Sequence, residues 1–396
     1  MTDLLTIDEA LARILDRVSP LPAETVAVVD ALGRVLAEDA RAAVDLPPFR
    51  SSAMDGFAVR AEDTPGTLPV TFRVAAGRPA PHALEPGEAM AISTGGAVPE
   101  GADAVVPIEV VVESENTITV AEPVERGAHV RPVAGDVTAG DTVLTAGSAL
   151  SAARIGALAA AGVASVRCSR RPRAAVLSTG TELRPPGEPL GPGQIYEANS
   201  VMLSAALEDA GAVVERLEPV ADDPDAHRAA LEQGLTADLL VSSGGVSVGP
   251  HDLVRSVGAQ LGVEEVFWRV AVKPGKPVAF GVRERTLVFG LPGNPVSALV
   301  GFELFVRPAL RALAGEAEPG LRFAVGTLAE PLRRVAARDQ LVRARSSLEE
   351  GETVLVPLRG QESHMIVRAA AADALVHVPR GEGELAAGQR VRFLPV

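Results

Sequence analysis

From residue 174 onward the sequence alternates between short buried strands and amphipathic helices, and this alternation restricts the possible folds more than any other feature. Strands are predicted at 174–178, 213–220, 238–242, 266–272, 278–282 and 286–289. Helices are predicted from an Asn199 cap to Ala210, from an Asp223 cap with Pro224 as first helical residue, from about 252 to Leu261, and from about 295 to Ala314. Such alternation is typical of an α/β domain with a doubly wound, mostly parallel sheet.

Three loops of this region are rich in glycine and serine and follow a predicted strand: 178–182, 242–252 and 291–297. In open parallel sheets, ligands bind beyond the carboxyl ends of the strands. The loops match neither a Walker A sequence nor a dinucleotide fingerprint, so we expect a phosphate cradle of another design. Glu182 and Asp252 lie on two of these loops and could hold Mg²⁺ through carboxylate oxygens. The alternative for each is an acid that complements a helix N-terminus.

The segment 268–281 holds the only two lysines of the chain, in the sequence W-R-V-A-V-K-P-G-K-P-V-A-F-G. Lys273 and Lys276 stand among 37 lysine and arginine residues. Lysine is a compact, mobile point charge, whereas arginine is a planar fork. Two ammonium groups in a short proline- and glycine-rich loop predict an anionic ligand, such as a phosphate chain or an oxyanion. The alternative is a solvated turn between two strands.

Charge and cysteine content exclude several classes of function. The formal net charge of −14 argues against nucleic acid or an anionic membrane surface as a partner. One cysteine and six scattered histidines predict neither a disulfide framework nor a zinc site. No apolar run is long enough to span a bilayer and no signal segment is apparent, so we expect a cytoplasmic protein.

The remaining sequence predicts a helix, a β-rich region and a small β domain. Thr6 and Glu9 form a capping-box pattern for a helix at 6–18, and short strands fill 66–140. Asp55 lies in S-A-M-D-G-F-A-V and Thr94 in S-T-G-G, where an ordinary turn is the alternative for each. The basic run 170–173 is interpreted as a solvated domain boundary. Turn signals at regular spacing in 318–396 predict a β-barrel or sandwich.

Six motifs, in order along the chain, resemble the molybdopterin molybdenumtransferases of the MoeA family, which includes the E domain of gephyrin. They are S-A-M-D-G-F-A-V, S-T-G-G-A-V-P-E-G-A-D-A-V-V, S-T-G-T-E-L, S-S-G-G-V-S-V-G, K-P-G-K-P and G-L-P-G-N-P-V-S-A. The resemblance covers essentially the whole chain and implies a homodimer of four-domain subunits. These would be a doubly wound molybdopterin-binding domain at 1–20 and 171–317, a linking α/β domain at 21–45 and 141–170, a β-rich domain at 46–140 and a C-terminal β-barrel at 318–396.

The resemblance implies an enzyme that inserts molybdate into adenylylated molybdopterin with Mg²⁺ and releases AMP and molybdenum cofactor. The site would lie between the doubly wound domain of one subunit and the β-rich domain of the other. The catalytic candidates are Asp55, Asp136, Asp252, Lys273 and Lys276. The candidate substrate contacts are Thr94, Arg131, Ser243, Gly244, Gly245, Ser247, Arg269, Pro292, Asn294 and Pro295, and the candidate metal ligands are Glu182, Asp222 and Asp252. Arg269 stands where the family often has lysine, and Asp223 is the alternative alignment for Asp222.

Two alternatives stay open at this point. A molybdopterin adenylyltransferase has a similar doubly wound domain but lacks the β-rich and C-terminal domains. A gephyrin-like scaffold would be expected to carry a fused second catalytic domain and a long linker. Under the enzyme hypothesis, the adenylyltransferase and the enzymes that accept the cofactor become possible partners.

Overall fold

The computed structural model describes residues 4–245 and 253–396. The chain starts with helix α1 (Ile7–Leu15), and its capping box is present as predicted. Thr6 Oγ accepts a hydrogen bond from the Glu9 N–H at 3.0 Å, and the Glu9 carboxylate accepts one from the Thr6 N–H at 2.8 Å. Ile7 and Ile14 pack into the core of the doubly wound domain, so the N-terminal helix belongs to a domain built mainly from the second half of the chain.

The chain then passes through a linking unit into a β-rich domain. The linking unit begins with β1 (Ala23–Ala27), a 3-10 turn (Val28–Asp30) and β2 (Ala40–Arg41). The β-rich domain contains β3 (Ser51–Ser52), β4 (Gly56–Val59), β5 (Gly66–Val74), β6 (Ala89–Ile92), β7 (Ala104–Pro107), β8 (Val111–Ser114), β9 (Thr117–Val120) and β10 (Val130–Arg131). Six of these strands form one sheet in the order β7-β4-β6-β5-β9-β8, and β3 pairs with β10. The prediction of a β-rich region is confirmed.

The linking unit is completed when the chain returns. It gains β11 (Thr142–Leu144), α2 (Ala152–Ala160) and β12 (Ser165–Ser169). β11 pairs with β2 and β12 with β1, both antiparallel. Ser151 caps α2 through a 3.4 Å bond from the Arg154 N–H, and Gly162 follows the helix at φ +77°.

The doubly wound domain follows as predicted, with a mixed edge. Its elements are β13 (Arg173–Ser178), β14 (Leu183–Arg184), β15 (Ile195–Tyr196), α3 (Asn199–Asp209), β16 (Val213–Arg216), α4 (Pro224–Gly234), β17 (Leu239–Ser243), α5 (Leu253–Gln260), β18 (Glu264–Trp268), β19 (Val272–Lys273), β20 (Ala279–Arg283), β21 (Thr286–Leu291), α6 (Pro295–Gly301) and α7 (Arg307–Leu313). The sheet order is β16-β13-β17-β21-β20-β18, and the first four strands are parallel. β20 runs antiparallel to β21, because a tight hairpin joins the two strands, and β18 pairs antiparallel with β20 and so has the same direction as the first four strands.

Both faces of this sheet are covered by helices. Along β13, Val176 belongs to one apolar cluster with Leu203 of α3, whereas Leu177 belongs to a second cluster with Leu231 of α4. Neighbouring side chains of a strand point to opposite faces, so a strand buried on both faces needs an uninterrupted apolar sequence. This explains why the buried strands of the domain lack alternating polarity.

Three local predictions need correction. Asn199 is not a cap: Ala198 holds the cap position and Asn199 is the first residue of α3. The strand predicted at 266–272 is two strands, because Arg269 between them has φ +79°. The basic run at 170–173 is not simply solvated, since Arg170 makes two 2.6 Å bonds to Asp238.

The C-terminal region is a closed five-stranded β-barrel. Its elements are β22 (Ala324–Leu328), β23 (Leu332–Arg333), β24 (Asp339–Glu349), β25 (Glu352–Pro357), α8 (Ile366–Ala369), β26 (Ala374–Val378), β27 (Glu384–Leu385) and β28 (Arg390–Pro395). The order β24-β25-β22-β28-β26 closes through pairing of β24 with β26. β19 of the doubly wound domain adds to β24 in parallel, so the double-lysine segment is joined to the barrel by backbone hydrogen bonds.

The structure confirms this arrangement of units, while the residues at which one unit ends and the next begins remain a prediction. Among the described helices, none has the length and apolar character needed to cross a bilayer.

Candidate active site

The ends of three neighbouring parallel strands meet at one edge of the doubly wound sheet. Ser178 of β13 pairs with Ser243 of β17, and Ser243 pairs with Leu291 of β21. Beyond the strands, Ser243 Oγ donates to the Pro292 carbonyl at 3.2 Å, and the Gly244 N–H donates to Leu291 at 3.1 Å. The three glycine- and serine-rich loops therefore adjoin each other where ligands bind in sheets of this type.

Asn199 connects two of these loops, a role that the sequence did not reveal. Its Nδ2 donates to Ser243 Oγ at 2.8 Å and to the Gly293 carbonyl at 2.7 Å. An asparagine at a helix start is usually a cap, so nothing local distinguishes the two roles. The contacts depend on residues 44 and 94 positions away, which only the fold brings together.

Glu197 is a second residue that sequence reasoning missed. Its side chain is buried, and its carboxylate accepts bonds from Ser178 Oγ at 2.8 Å and from the Ser200 N–H at 2.7 Å and Oγ at 2.5 Å. A buried carboxylate is costly unless it is hydrogen-bonded. Glu197 therefore fixes the end of β13 against the start of α3.

The glycines of the 242–252 loop allow close approach of two backbones. Gly244 has φ +93°, and a Cβ there would lie 2.7 Å from the Thr179 carbonyl oxygen. Gly245 also has positive φ, at +64°. Position 244 therefore requires glycine for two reasons, the positive φ and the close approach of the Thr179 carbonyl oxygen. Ser247 and Asp252, the other candidates of this loop, lie outside the described residues.

A cleft of about 750 Å³ opens between these loops and the barrel. One wall contains 273–277 with both lysines, and also Pro292, Asn294 and Ser297. The other wall comes from the barrel and includes Arg333, Arg338, Gln361, Glu362, Ser363 and His364. The barrel residues were not predicted as site residues, because nothing in their sequence indicates that the barrel packs against the lysine loop.

The cleft is rich in positive charge. Lys273 and Lys276 are exposed in a tight loop that the Val270 N–H closes by donating to the Lys276 carbonyl at 3.0 Å. Gly275 between them has φ +106°. Within 4–245 and 253–396, neither lysine forms an ion pair, nor does Arg333 or Arg338. Four cations without a described carboxylate partner make this cleft suited to an oxyanion.

Two other candidates of the doubly wound domain, Arg269 and Pro295, have surroundings that differ from those of the two lysines. The guanidinium of Arg269 lies 3.7 Å from the centroid of the Trp268 ring, over which Arg255 also lies at 4.0 Å. The segment from 295 begins α6, with Pro295 as its first residue and Asn294 as its N-cap, without a side-chain capping bond. Asn294 Nδ2 instead donates to Ser363 Oγ of the barrel at 2.9 Å.

Asp55 and Thr94 lie together in the β-rich domain. The Asp55 carboxylate accepts bonds from the Thr94 N–H at 2.9 Å and from Thr94 Oγ at 3.0 Å, and these bonds lower the pKa of Asp55 although it is exposed. A Cβ at Gly56 would overlap the Val106 carbonyl oxygen, so the residue after Asp55 must be glycine. The motif therefore presents a fixed, ionised carboxylate to solvent rather than a simple hairpin turn.

Arg131 and Asp136 are also exposed on this domain. Arg131 ends β10, opposite Ser51 of β3, and the Asp136 N–H donates to the Leu46 carbonyl at 2.9 Å. For residues 46–137, every described hydrogen bond and ion pair has its partner within 46–137. No described bond of the single chain therefore joins these residues to the strand-end loops.

The three metal-ligand candidates are not assembled by the described structure. Glu182 is exposed in the loop after β13, and Asp222 is exposed after β16. Asp223 is occupied as the cap of α4, accepting from the N–H groups of Asp225 at 3.1 Å and Ala226 at 2.8 Å, which favours Asp222 as the available carboxylate. Across the described ranges, no group of three or more His, Cys, Asp or Glu side chains is placed to hold a metal ion.

Three family models match most of the chain, one after another. Residues 5–162 match the MoeA N-terminal region (domain I and II), 175–312 a probable molybdopterin binding domain, and 325–396 the MoeA C-terminal region (domain IV).

Relatives and solved structures agree with these matches over nearly the full length. The chain is 39% identical to molybdopterin molybdenumtransferase 2 of Mycobacterium tuberculosis H37Rv, over 93% of this chain and 94% of that protein. It is 35% identical to molybdopterin molybdenumtransferase of Haemophilus influenzae, over 99% and 98%. Its fold is similar to the crystal structure of the molybdopterin biosynthesis MoeA protein of Pyrococcus horikoshii OT3, with a TM-score of 0.85 at 28% identity and complete coverage of both chains.

Proposed function

This chain belongs to the MoeA family of molybdopterin molybdenumtransferases, and we propose that it inserts molybdate into adenylylated molybdopterin, with release of AMP and molybdenum cofactor. The observation that carries the proposal is the cleft lined by four cations, none of which forms a described ion pair, against one described carboxylate, Glu362. Molybdate is a dianionic oxyanion, and such a ligand is bound by ammonium, guanidinium and backbone N–H groups. The matches at both ends of the chain argue against the adenylyltransferase alternative, which lacks those domains.

Within this proposal the two walls have different roles. Lys273 and Lys276 hold molybdate on the sheet side, and Arg333 and Arg338 approach it from the barrel. The strand-end loops, with Ser243 and Gly244, lie next to the cleft and receive the phosphate groups. Cleavage of a phosphoanhydride develops negative charge on oxygen, and preorganised cations and N–H groups stabilise that charge.

Mg²⁺ is part of the proposal. It prefers one or two carboxylates, with phosphate and water oxygens completing an octahedron. Exposed Glu182 and Asp222 at the same sheet edge fit that donor set, and Asp252 is the third candidate from the sequence. When bound, Mg²⁺ would offset the charge of the phosphates. The absence of a three-acid group from the described ranges is compatible with this, because the substrate supplies most of the oxygens.

We further propose that the active enzyme is a homodimer in which the β-rich domain of one subunit completes the site of the other. Asp55 is an exposed, hydrogen-bonded carboxylate, and Arg131 and Asp136 are exposed on the same domain. The described bonds of 46–137 stay within the domain, so its exposed polar residues are available to a second subunit. The cytoplasm is the proposed location, and the adenylyltransferase and cofactor-accepting enzymes are the proposed partners.

The test is release of AMP from purified adenylylated molybdopterin, measured with and without molybdate at fixed Mg²⁺. We expect release that requires molybdate and falls in a Lys273→Gln, Lys276→Gln double variant that keeps its circular dichroism spectrum. Absence of molybdate-dependent release from the folded wild-type protein would overturn the proposal. If candidate peptides pellet with a protein that lacks the activity, the scaffold alternative replaces it.

A further inference from the structure

Arg343 is a charged side chain buried inside the barrel wall. It lies on β24 and is 2% exposed. Burying a charge is costly unless it is fully hydrogen-bonded, and buried arginine is usually paired with a carboxylate. In the part of the chain that the structure describes, Arg343 has no carboxylate in ion-pair contact. The buried charge of Arg343 must therefore be stabilised by acceptors other than carboxylates.

The described hydrogen-bond partners of the Arg343 side chain come from one short segment, 360–365. Its Nη2 donates to the carbonyls of Gly360 at 2.8 Å and Glu362 at 3.3 Å, and its Nη1 donates to Met365 at 3.3 Å. Nε donates to Gln361 Oε1 at 3.3 Å. The planar guanidinium thus donates hydrogen bonds to three main-chain carbonyls and one side-chain amide.

Gln361 reinforces the same connection. Its Oε1 also accepts from the Arg343 N–H at 3.1 Å, and its Nε2 donates to the Arg343 carbonyl at 2.9 Å and to Leu358 at 2.8 Å. The amide of Gln361 therefore pairs with the backbone of β24 as a neighbouring strand would.

The segment 360–365 also contacts the doubly wound domain at the cleft. The Val296 N–H donates to the Ser363 carbonyl at 3.1 Å, and Asn294 Nδ2 donates to Ser363 Oγ at 2.9 Å. Ser363 and His364 themselves line the cleft. The same six-residue segment thus contacts Arg343 and forms part of the cleft wall.

We propose that Arg343 is a positioning residue that holds 360–365 against 294–296 and so fixes the barrel wall of the oxyanion cleft. The inference rests on the proposed function for the identity of the ligand, but not for the contact itself. Lysine cannot replace arginine here, because one ammonium cannot reach acceptors spread around a planar fork. Arg343 would then act on oxyanion binding without touching the oxyanion.

The test compares Arg343→Lys and Gln361→Ala with Arg345→Lys, an exposed arginine two residues further along the same strand. The first readout is hydrogen exchange at the Val296 amide, which needs no substrate. We expect exchange there to rise by about tenfold or more in the first two variants and to stay unchanged in the third, since loss of bonds to a charged group is worth about a factor of ten or more.

The second readout separates positioning from a general loss of structure. In the molybdate-dependent assay, Arg343→Lys should raise the KM for molybdate by about tenfold with a smaller change in kcat, because the substitution disturbs ligand binding more than chemistry. Unchanged Val296 exchange in a folded Arg343→Lys protein would overturn the proposal. If Arg343→Lys does not fold, Gln361→Ala replaces it, since this variant keeps the charge of Arg343. Unchanged Val296 exchange in Gln361→Ala would then overturn the proposal. Wild-type protein without molybdate-dependent AMP release would refute the proposed function, while the exchange result would still decide the role of Arg343.

Discussion

Replacement of Lys276 by arginine keeps the charge of the cleft and changes only how that charge is delivered. Lys276 is exposed in a loop closed by its own backbone carbonyl, so the substitution should leave the fold and the melting temperature unchanged. At an effective dielectric of about 20, an ammonium about 4 Å from an oxyanion contributes about 4 kcal/mol. A bulkier guanidinium centred about 5.5 Å away contributes about 3 kcal/mol.

The difference of about 1 kcal/mol corresponds to a fall of about five- to tenfold in kcat/KM. Lys276→Gln removes the whole contribution and should lower kcat/KM by about a thousandfold. The assay is molybdate-dependent AMP release under subsaturating molybdate, with circular dichroism to verify the fold. Arg285→Lys, at an exposed hairpin position of the same domain, is the matched control and should behave as wild type. If Lys276→Gln retained more than a tenth of wild-type activity, the assignment of Lys276 to the oxyanion would be refuted.

Three further predictions concern the metal, the shared site and the β-rich carboxylate. Glu182→Gln should raise the Mg²⁺ concentration needed for half-maximal activity; a titration identical to wild type would exclude Glu182 as a ligand. Asp55→Ala and Lys276→Gln homodimers should both be nearly inactive, whereas co-refolding equal amounts should restore about a quarter of wild-type activity, because half the dimers are mixed and each has one intact site. A mixture as inactive as its components, with mixed dimers verified by mass, would contradict the shared site. Thr94→Ala should raise the pKa of Asp55 part of the way toward its ordinary value, followed by NMR titration, because the bond from Thr94 Oγ is lost while the bond from the backbone N–H remains; since the folded-state pKa is depressed, the contribution of the lost bond to stability is present at neutral pH and is lost as pH falls through that pKa.

Features determined by neighbouring residues were predictable from the sequence. The capping box of Thr6 and Glu9 and the Asp223–Pro224 helix start depend on contacts within four residues, and the structure confirms both. The strand–helix alternation also specified the doubly wound sheet, because periodicity and burial are local properties of the sequence.

Features that depend on distant residues were not predictable. Asn199 has the residue type of a cap and lies at the start of α3, but Ala198 holds the cap position and the Asn199 amide donates to Ser243 and Gly293. Likewise, nothing near Arg343 in sequence indicates that the segment 360–365 will surround it. The break at Arg269, with φ +79°, also escaped prediction, because it lies in a run of strand-forming residues. The barrel wall of the cleft was missed for the same reason, since its residues become a site only when β19 joins β24.

In the proposed reaction AMP leaves because molybdenum is inserted, so the two events should occur in a fixed ratio that can be measured. Folded wild-type protein would be mixed with a limiting amount of adenylylated molybdopterin, excess molybdate and Mg²⁺. AMP would be quantified by chromatography, and pterin-bound molybdenum by elemental analysis after removal of free molybdate. One molybdenum bound per AMP released, with neither product formed when molybdate is omitted, is the predicted result. AMP release at the same rate without molybdate, or without molybdenum in the pterin fraction, would contradict it.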